Sequence, residues 1–203
     1  MKTVLYVHGK GGTAAEGAHY GPLFPGCGVF GLDYYSSTPR EAGLEIRTAA
    51  ERIREACGGV ILVANSIGAF YSLHAGLDGL VDRAYLISPV VDMERLIRGM
   101  MQAANVTEAE LEAKGVIPTA SGAKLSWEYL RFVMDEPVVW NVPTHILYGG
   151  RDDLTPVETV RGFAKAHGAT LTVMEDGEHW FHTEEQMRFL DDWIRRCRLS
   201  GEC

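Results

Sequence analysis

One stretch of sequence decides the fold of this chain, Val60-Ile61-Leu62-Val63-Ala64-Asn65-Ser66-Ile67-Gly68-Ala69-Phe70. It begins as the apolar run of a buried strand and continues with small residues suited to the start of a closely packed helix. A strand that turns directly into a helix at Ser66 leaves room only for small neighbours, and Ala64 and Gly68 supply it. The stretch predicts a strand-to-helix turn with a serine nucleophile at its tip. Tight packing of a helix on a sheet produces the same pattern by chance, so the prediction depends on finding partner residues.

Candidate partners follow the serine in chain order. A serine hydroxyl becomes a good nucleophile when a histidine accepts its proton and a buried carboxylate orients that histidine. The apolar run 144–149 is followed by Asp152 and Asp153, and the run 169–174 is followed by His179. Because carboxyl ends of parallel strands share one edge of a sheet, the three residue types are predicted to meet there.

These motifs resemble those of the α/β-hydrolase superfamily, which has the same chain order of serine, acid and histidine. Near the N-terminus, His8-Gly9-Lys10-Gly11-Gly12 directly follows the first apolar run and is similar to the His-Gly oxyanion turn of that superfamily. The resemblance extends from the first predicted strand to the last predicted helix. One departure is Ala64, which stands where the superfamily usually has glycine, and its small size is compatible with the turn.

Apolar runs alternate with helical patterns along the chain, which predicts an α/β fold with a parallel sheet covered by helices on both faces. Helix-start signals begin at Thr38, Thr155 and Thr183, and the helix after Thr38 is predicted to end at Gly58. The resemblance implies a three-layer α/β-hydrolase fold, whose six-stranded, mainly parallel sheet has the order 2-1-3-4-5-6. The six runs span 3–8, 29–34, 60–65, 84–88, 144–149 and 169–174.

The chain of 203 residues fits a single domain, 1–203, but the stretch 92–142 is too long for a plain connection between strands. Within it, an amphipathic helix after Asp92, a helix capped by Thr107, a hairpin turning at Ser121-Gly122 and a helix after Ser126 are predicted. We interpret 92–142 as a cap or lid inserted after the fourth strand, as in many α/β-hydrolases. The alternative is a structural excursion that packs on the edge of the sheet.

The resemblance implies that Ser66 attacks a carbonyl carbon and that His179 is its base. The context Gly177-Glu178-His179-Trp180-Phe181 is similar to the Gly-x-His-x-Phe turn of the superfamily. His182 is the competing base, and its place beside the Thr183 cap favours a neighbouring or surface role.

For the orienting acid, two adjacent candidates are present. In the superfamily pattern the acid lies three residues after the terminal glycine of the strand and four before a proline. Gly149 and Pro156 both indicate Asp152, which leaves Asp153 as a solvated neighbour.

Oxyanion stabilisation requires preorganised donors, each worth roughly 3 kcal/mol of the barrier. The resemblance assigns this role to the backbone N–H groups of Lys10 and Ile67, with Gly11 as a possible substitute for Lys10. His8 is predicted to form structural hydrogen bonds in the same turn. The alternative for the glycines of this turn is a flexible connection after a strand.

Taken together, these residues predict a serine hydrolase that cleaves a small-molecule carboxylic ester or thioester through an acyl-enzyme on Ser66. Similar residues on this fold also carry out carbon–carbon bond hydrolysis, amide hydrolysis and lyase reactions, so these activities stay open. A non-catalytic binding protein on the same scaffold is a third hypothesis. Methionine and aromatic residues of 92–142 favour an apolar acyl or aromatic substrate group, or they form the core of that segment.

The bulk properties are those of a globular protein, with 46% hydrophobic and 23% charged residues. A net charge of -8 argues against nucleic acid or an anionic membrane as a partner, and no run is apolar enough to span a bilayer. The N-terminus lacks the pattern of a signal peptide, which favours a cytoplasmic location. The cysteines lack Cys-x-x-Cys spacing, which favours reduced thiols and the same location. The alternative for the cysteines is a Cys197–Cys203 disulfide. No cofactor fingerprint and no metal-ligand spacing is evident, and no feature indicates an oligomeric state.

Overall fold

The computed structural model describes residues 1–120 and 122–199. Its main sheet has six strands in the order β2-β1-β3-β4-β7-β8, and each neighbouring pair is parallel. Counted within this sheet alone, the order is 2-1-3-4-5-6, which confirms the prediction. The strands are β1 (Thr3–Val7), β2 (Gly28–Leu32), β3 (Val60–Asn65), β4 (Arg83–Ile87), β5 (Val116–Pro118), β6 (Lys124–Ser126), β7 (Thr144–Gly149) and β8 (Thr170–Met174).

Helices connect the strands, as the alternating pattern predicts. A 3-10 helix, Ala14–Leu23, lies between β1 and β2. The α-helices are α1 (Pro39–Cys57), α2 (Ser66–Leu73), α3 (Met93–Ala103), α4 (Glu108–Lys114), α5 (Trp127–Asp135), α6 (Val157–Ala166) and α7 (Glu184–Leu199).

Most helix ends follow the predicted chemistry. The Thr38 side chain accepts a hydrogen bond from the backbone of Glu41, and Gly58 ends α1 with a φ of 77°. Helix α6 differs, because it begins at Val157 with Pro156 at its N-cap and not with a threonine cap. The predicted cap residue, Thr155, instead donates its backbone N–H to a carboxylate of the site described below.

The second strand also differs from its prediction. It covers Gly28–Leu32, whereas the apolar run extends over 29–34. Asp33 accepts a hydrogen bond from the backbone of Ala14, and the Tyr34 hydroxyl donates to the carbonyl of His8. These contacts draw the end of the apolar run towards the turn after β1, so the strand stops earlier than hydropathy alone indicates.

The chain divides into two compact units, one formed by Met1–Val91 with the chain from Val139 onward, and one formed by Asp92–Val138. The smaller unit contains three helices and the antiparallel β5–β6 hairpin, with Thr107 and Ser126 as side-chain caps of α4 and α5. The predicted turn residue Ser121 lies outside the described residues, as does Cys203 of the proposed cysteine pair. The role of 92–142 as a cap stays a prediction.

The core of the larger unit surrounds the main sheet. Both faces of β1 are buried, as expected when helices cover both sides of a parallel sheet. Helix α7 contributes Trp193 and Ile194 to a cluster with Tyr6 and Tyr85, and all four side chains are almost completely shielded from solvent. This packing fixes the strands, and therefore also the turns at their carboxyl ends.

Candidate active site

The predicted site residues lie in four turns along one edge of the sheet. Lys10 follows β1, Ser66 follows β3, Asp152 follows β7 and His179 follows β8. In a parallel sheet the carboxyl ends of the strands share one edge, so residues far apart in sequence converge there.

The turn at Ser66 is strained and closely packed. Ser66 is the first residue of α2 and has a φ of 50°, in the left-handed region that non-glycine residues rarely adopt. A Cβ atom on Gly68 would lie 2.3 Å from the carbonyl oxygen of His8, and one on Gly9 would lie 3.2 Å from the Ser66 Cβ. The glycine two residues after the serine is therefore required by the packing of α2 against the end of β1.

Ser66, His179 and Asp152 form a continuous hydrogen-bonded chain. The Ser66 Oγ lies 2.8 Å from the His179 Nε2, and the His179 Nδ1 lies 2.7 Å from the Asp152 Oδ2. With the proton on Nδ1 and donated to the carboxylate, Nε2 is the acceptor for the serine hydroxyl. The side chain of Asp152 is 0% exposed and that of His179 is 23% exposed, so the pair lies in a partly desolvated setting.

The carboxylate of Asp152 is oriented by its own loop. Its Oδ1 accepts hydrogen bonds from the backbone N–H groups of Leu154 at 2.8 Å and Thr155 at 3.2 Å. The Tyr148 hydroxyl donates to the Thr155 carbonyl at 2.7 Å, and burial raises the Tyr148 pKa to about 12, so this donor is neutral. The other candidate acid, Asp153, is exposed and makes none of these contacts.

The loop that carries the acid packs directly on the loop that carries the base. The Arg151 N–H donates to the Gly177 carbonyl at 2.8 Å. A Cβ atom on Gly149 would lie 2.3 Å from the carbonyl oxygen of Glu178, so only glycine permits this approach. The relative position of Asp152 and His179 is therefore set by backbone contacts between their loops.

The turn after β1 is closed by a hydrogen bond from the Gly12 N–H to the Gly9 carbonyl at 3.1 Å, and Gly11 has a φ of 78°. Among the described residues, the Lys10 N–H donates no backbone hydrogen bond. The Ile67 N–H lies in the first turn of α2, where backbone N–H groups lack acceptors within the helix. Both groups therefore stay the predicted donors of an oxyanion site, which needs N–H groups that are not used by other acceptors.

The other histidines near the site have different partners. The His8 Nδ1 lies 2.8 Å from the carbonyl of Gly9, and its ring stacks on Tyr34. The His182 Nδ1 donates to the carbonyl of Trp180 at 2.8 Å, and the two rings stack. These contacts agree with structural roles for His8 and His182.

Sequence reasoning missed a polar network beside the serine. The Tyr6 hydroxyl donates to the Glu16 Oε2 at 2.6 Å and accepts from the Asn65 Nδ2 at 3.1 Å. The Glu16 Oε1 accepts from the backbone N–H of Thr13 at 3.2 Å. One signal was present in the sequence, because Thr13 and Glu16 have the spacing of a capping box at the start of the 3-10 helix.

A cavity of about 840 Å³ opens onto Ser66 and His179. The Nε2 of His19 on its wall lies 2.7 Å from the Asp191 Oδ1, and Trp180 is 73% exposed. Within residues 1–120 and 122–199, no cluster of side chains suited to a metal ion is found, and no helix is long and apolar enough to cross a membrane. The wall includes Tyr6, Lys10, Glu16, His19, Tyr20, Asn65, Ile87, Leu154, Trp180, Phe181, His182, Met187 and Leu190.

Comparison with solved structures identifies similar folds. Est1E from Butyrivibrio proteoclasticus, in a structure with ferulic acid bound, is 14% identical, with a TM-score of 0.76, covering 98% of this chain and 89% of that one. Alpha/beta hydrolase domain-containing protein 10 from mouse is 17% identical, with a TM-score of 0.68. The match covers 98% of this chain and 90% of the mouse chain. A putative hydrolase of the alpha/beta superfamily from Xanthomonas campestris is 17% identical, with a TM-score of 0.64, covering 98% of each chain.

No family model matches the sequence. No curated protein matches it either. The structural similarity extends over almost the whole chain, and it shows that the protein has the α/β-hydrolase fold. At these identities the likeness concerns the fold alone, so the chemistry has to be argued from the side chains of the site.

Proposed function

We propose that this protein is a serine hydrolase that cleaves a small carboxylic ester or thioester through an acyl-enzyme on Ser66. The observation that carries the proposal is the pair of short hydrogen bonds that join Ser66 to His179 and His179 to Asp152. A nucleophile in contact with a base, and a base in contact with an orienting carboxylate, is the arrangement that acyl transfer requires.

In the first half of the reaction, the Ser66 Oγ attacks the carbonyl carbon while the His179 Nε2 accepts the hydroxyl proton. The resulting oxyanion is stabilised by the backbone N–H groups of Lys10 and Ile67. When the tetrahedral intermediate collapses, the bond to the alcohol or thiol breaks and His179 returns the proton to that leaving group. The acyl group then remains on the Ser66 oxygen.

Water completes the cycle. His179 removes a proton from a water molecule, whose oxygen attacks the acyl carbon. When the second tetrahedral intermediate collapses, the bond between the acyl carbon and the Ser66 oxygen breaks and His179 returns the proton to that oxygen, which releases the carboxylic acid and restores the Ser66 hydroxyl. Asp152 stays ionised throughout and stabilises the imidazolium that forms in each half. The buried position of this carboxylate supports that role, and within residues 1–120 and 122–199 its hydrogen-bond partners are the imidazole and two backbone N–H groups.

The direct test is covalent labelling of the purified protein with a fluorophosphonate, followed by mass spectrometry of the labelled peptide. We expect one adduct on Ser66 and none in the Ser66→Ala variant. Equal labelling of wild type and Ser66→Ala would overturn the proposal.

The two histidines of the same turn provide a matched pair of variants. We expect His179→Gln to lower the labelling rate and ester turnover by several orders of magnitude, as loss of a triad member does. His182→Gln should leave both within about threefold, because its ring contacts Trp180 and not Ser66. A larger loss in His182→Gln than in His179→Gln would contradict the assignment of the base.

A substrate panel tests the bond that is cleaved. Nitrophenyl esters and acyl thioesters of increasing chain length are compared with anilides and with diketones. Turnover of esters or thioesters with none of diketones agrees with the proposal. Turnover confined to anilides or diketones would replace it with amide or carbon–carbon bond hydrolysis on the same residues.

A further inference from the structure

The turn that carries Lys10 and the turn that carries Ser66 are joined by the polar network of Tyr6, Glu16 and Asn65. We propose that Tyr6 and Glu16 are positioning residues, which fix the turn at 9–13 relative to Ser66 and so place one donor of the oxyanion site. This inference rests on the proposed hydrolase function and adds to it two residues outside the triad.

Glu16 connects the network to the turn. One carboxylate oxygen accepts the backbone N–H of Thr13, and a Cβ atom on Gly12 would lie 2.9 Å from that same oxygen. Gly12 in turn closes the tight turn by donating to the Gly9 carbonyl. The Lys10 N–H lies inside this closed turn. Its position therefore depends on the hydrogen bond by which Glu16 fixes Thr13, at the C-terminal end of the turn.

Tyr6 connects Glu16 to the sheet. The tyrosine belongs to β1, its residue is 0% exposed, and its hydroxyl lies between the Glu16 carboxylate and the Asn65 amide. Burial raises the pKa of Tyr6 above its usual range, so the hydroxyl keeps its proton as a donor. The carboxylate of Glu16 is thereby anchored to a rigid strand, although its own side chain is solvent-exposed.

Asn65 connects Tyr6 to the nucleophile. It is the last residue of β3 and the N-cap position of α2, directly before the strained Ser66. Past the ends of β1 and β3, no backbone hydrogen bond joins residues 8–13 to residues 65–68 among the described residues. The side-chain network thus supplies hydrogen bonds between these two turns, beside the packing of Gly9 on Ser66 and of Gly68 on the His8 carbonyl.

Removing the network should displace the turn without altering the contacts of Ser66 with His179. A shift of less than 1 Å in a donor weakens stabilisation of the oxyanion but not binding of the uncharged ground state. We therefore expect kcat to fall about 10-fold in Tyr6→Phe and in Glu16→Ala, with KM within about twofold of wild type. Glu16→Gln retains one acceptor oxygen and should show an intermediate loss.

The experiment measures turnover of a nitrophenyl ester per site titrated with a fluorophosphonate, so that misfolded protein is not counted. Inhibition by a trifluoromethyl ketone, which forms a tetrahedral oxyanion with a serine, is compared with inhibition by the matching methyl ketone. We expect the trifluoromethyl ketone to bind about 10-fold more weakly to Tyr6→Phe and Glu16→Ala, and the methyl ketone to bind unchanged.

Tyr71→Phe is the matched control. Tyr71 is also buried, and its hydroxyl donates to the Ser37 carbonyl at 3.1 Å, outside the network. We expect this variant to keep the wild-type kcat per titrated site and the wild-type affinity for both ketones. If Tyr6→Phe fails to fold, the two Glu16 variants complete the test, because that side chain is exposed.

An unchanged kcat per titrated site in the Glu16 variants would overturn the inference while leaving the proposed function intact. A loss confined to KM, with unchanged affinity for the trifluoromethyl ketone, would do the same. A loss of the same size in Tyr71→Phe would also overturn it, since any buried hydroxyl would then serve. A wild-type protein without labelling and without turnover overturns the proposed function instead, before any variant is compared.

Discussion

The two pairs of turns that meet at Ser66 are both closely packed through glycines, but they differ in the hydrogen bonds that join them. After β7 and β8, the acid loop and the base loop are joined by backbone hydrogen bonds, from Gly150 to Met174 and from Arg151 to Gly177. After β1 and β3, the two turns are joined by side chains of the polar network. The groups proposed for catalysis are side chains in the first pair and include backbone N–H groups in the second.

Backbone contacts therefore help to place the side chains proposed for catalysis, and side-chain contacts help to place the backbone N–H groups. Backbone contacts hold Asp152 and His179 in register, so their chemistry can be altered by substitution while the loops stay in place. Side-chain contacts help to hold the turn with Lys10, so the position of a backbone donor becomes sensitive to side chains outside the proposed triad. Side-chain variants in the acid and base loops should therefore lower the rate with little change in stability. Side-chain variants in the polar network should lower the rate by displacing a backbone donor.

The largest expected effect is in Asp152→Asn. The amide has the same shape as the carboxylate, but its oxygen is retained by the N–H groups of Leu154 and Thr155, so its NH2 group faces the His179 Nδ1. The ring then adopts the wrong tautomer, and kcat falls by about 10⁴-fold. The melting temperature should change little, because the backbone contacts of the loop remain. Steady-state kinetics and thermal unfolding measure both.

Asp153→Asn is the matched control for this prediction, since it makes the same chemical change at the exposed neighbour. It should retain the wild-type rate. If Asp153→Asn shows the larger loss, the acid has been assigned to the wrong residue.

Gly149→Ala tests whether backbone contact fixes the acid and base loops. The added methyl group would lie 2.3 Å from the Glu178 carbonyl oxygen, so the loops must separate. We expect a loss of about 3 kcal/mol in the free energy of unfolding and of about 100-fold in kcat. Chemical denaturation and ester kinetics provide the two readouts.

Gly162→Ala is the control for the same substitution in open space. It lies inside α6, with no atom within 4 Å of the added Cβ, and should be neutral or stabilising by about 0.5–1 kcal/mol. If Gly149→Ala and Gly162→Ala change kcat and the free energy of unfolding equally, backbone contact does not fix the acid and base loops.

Tyr148→Phe sharpens the comparison, because it is the counterpart of Tyr6→Phe on the other side of Ser66. Loss of its hydrogen bond to the Thr155 carbonyl should cost about 1–2 kcal/mol of stability. The backbone bonds of the acid loop remain, so kcat should fall only about threefold, less than in Tyr6→Phe. A larger fall in Tyr148→Phe would show that the acid loop also depends on side chains for its position.

The smallest effect concerns His74, at the end of α2 opposite to Ser66, where burial lowers the pKa to about 4. Between that pH and about 6.5, the unfolded chain binds a proton at this residue that the folded protein does not. His74 therefore costs stability progressively as the pH falls through this window, and the cost is absent above it. Because the ring is partly exposed, we expect about 1 kcal/mol.

The measurement for His74 is the difference in the free energy of unfolding between wild type and His74→Gln, at about pH 7.5 and about pH 4. This difference isolates His74 from the other titrating groups. It should shift in favour of the variant at the lower pH. A difference that is the same at both values would contradict the lowered pKa.

The sequence predicts the strands of the main sheet well because each apolar run is short and most runs are separated by a helical pattern. The positions of Ser66, Asp152 and His179 in turns after strands are predicted for the same reason. Local rules suffice here, since each residue is identified by neighbours within a few positions. The order of the strands is predicted by the resemblance to the α/β-hydrolase superfamily and not by the runs themselves.

Contacts between distant residues are what the sequence does not reveal. Nothing in the separate contexts of Tyr6, Glu16 and Asn65 indicates that they meet, because their meeting depends on the pairing of β1 with β3 and on the 3-10 helix. That helix contains Gly17, Gly21 and Pro22 and has no 3.6-residue period, so it resembles a loop. Thr155 is not the cap of α6, because the helix begins after Pro156 and the Thr155 N–H donates to Asp152 within the acid loop, a local alternative to the predicted cap.

The segment Asp92–Val138 occupies a connection that this topology cannot omit. Strands β4 and β7 are parallel neighbours, so the chain must travel from the carboxyl end of one to the amino end of the other. Additional residues on that obligatory route change no strand register and break no pairing of the sheet. The length and content of this crossover can therefore change while the register of the sheet, and with it the turns at its carboxyl edge, stays the same.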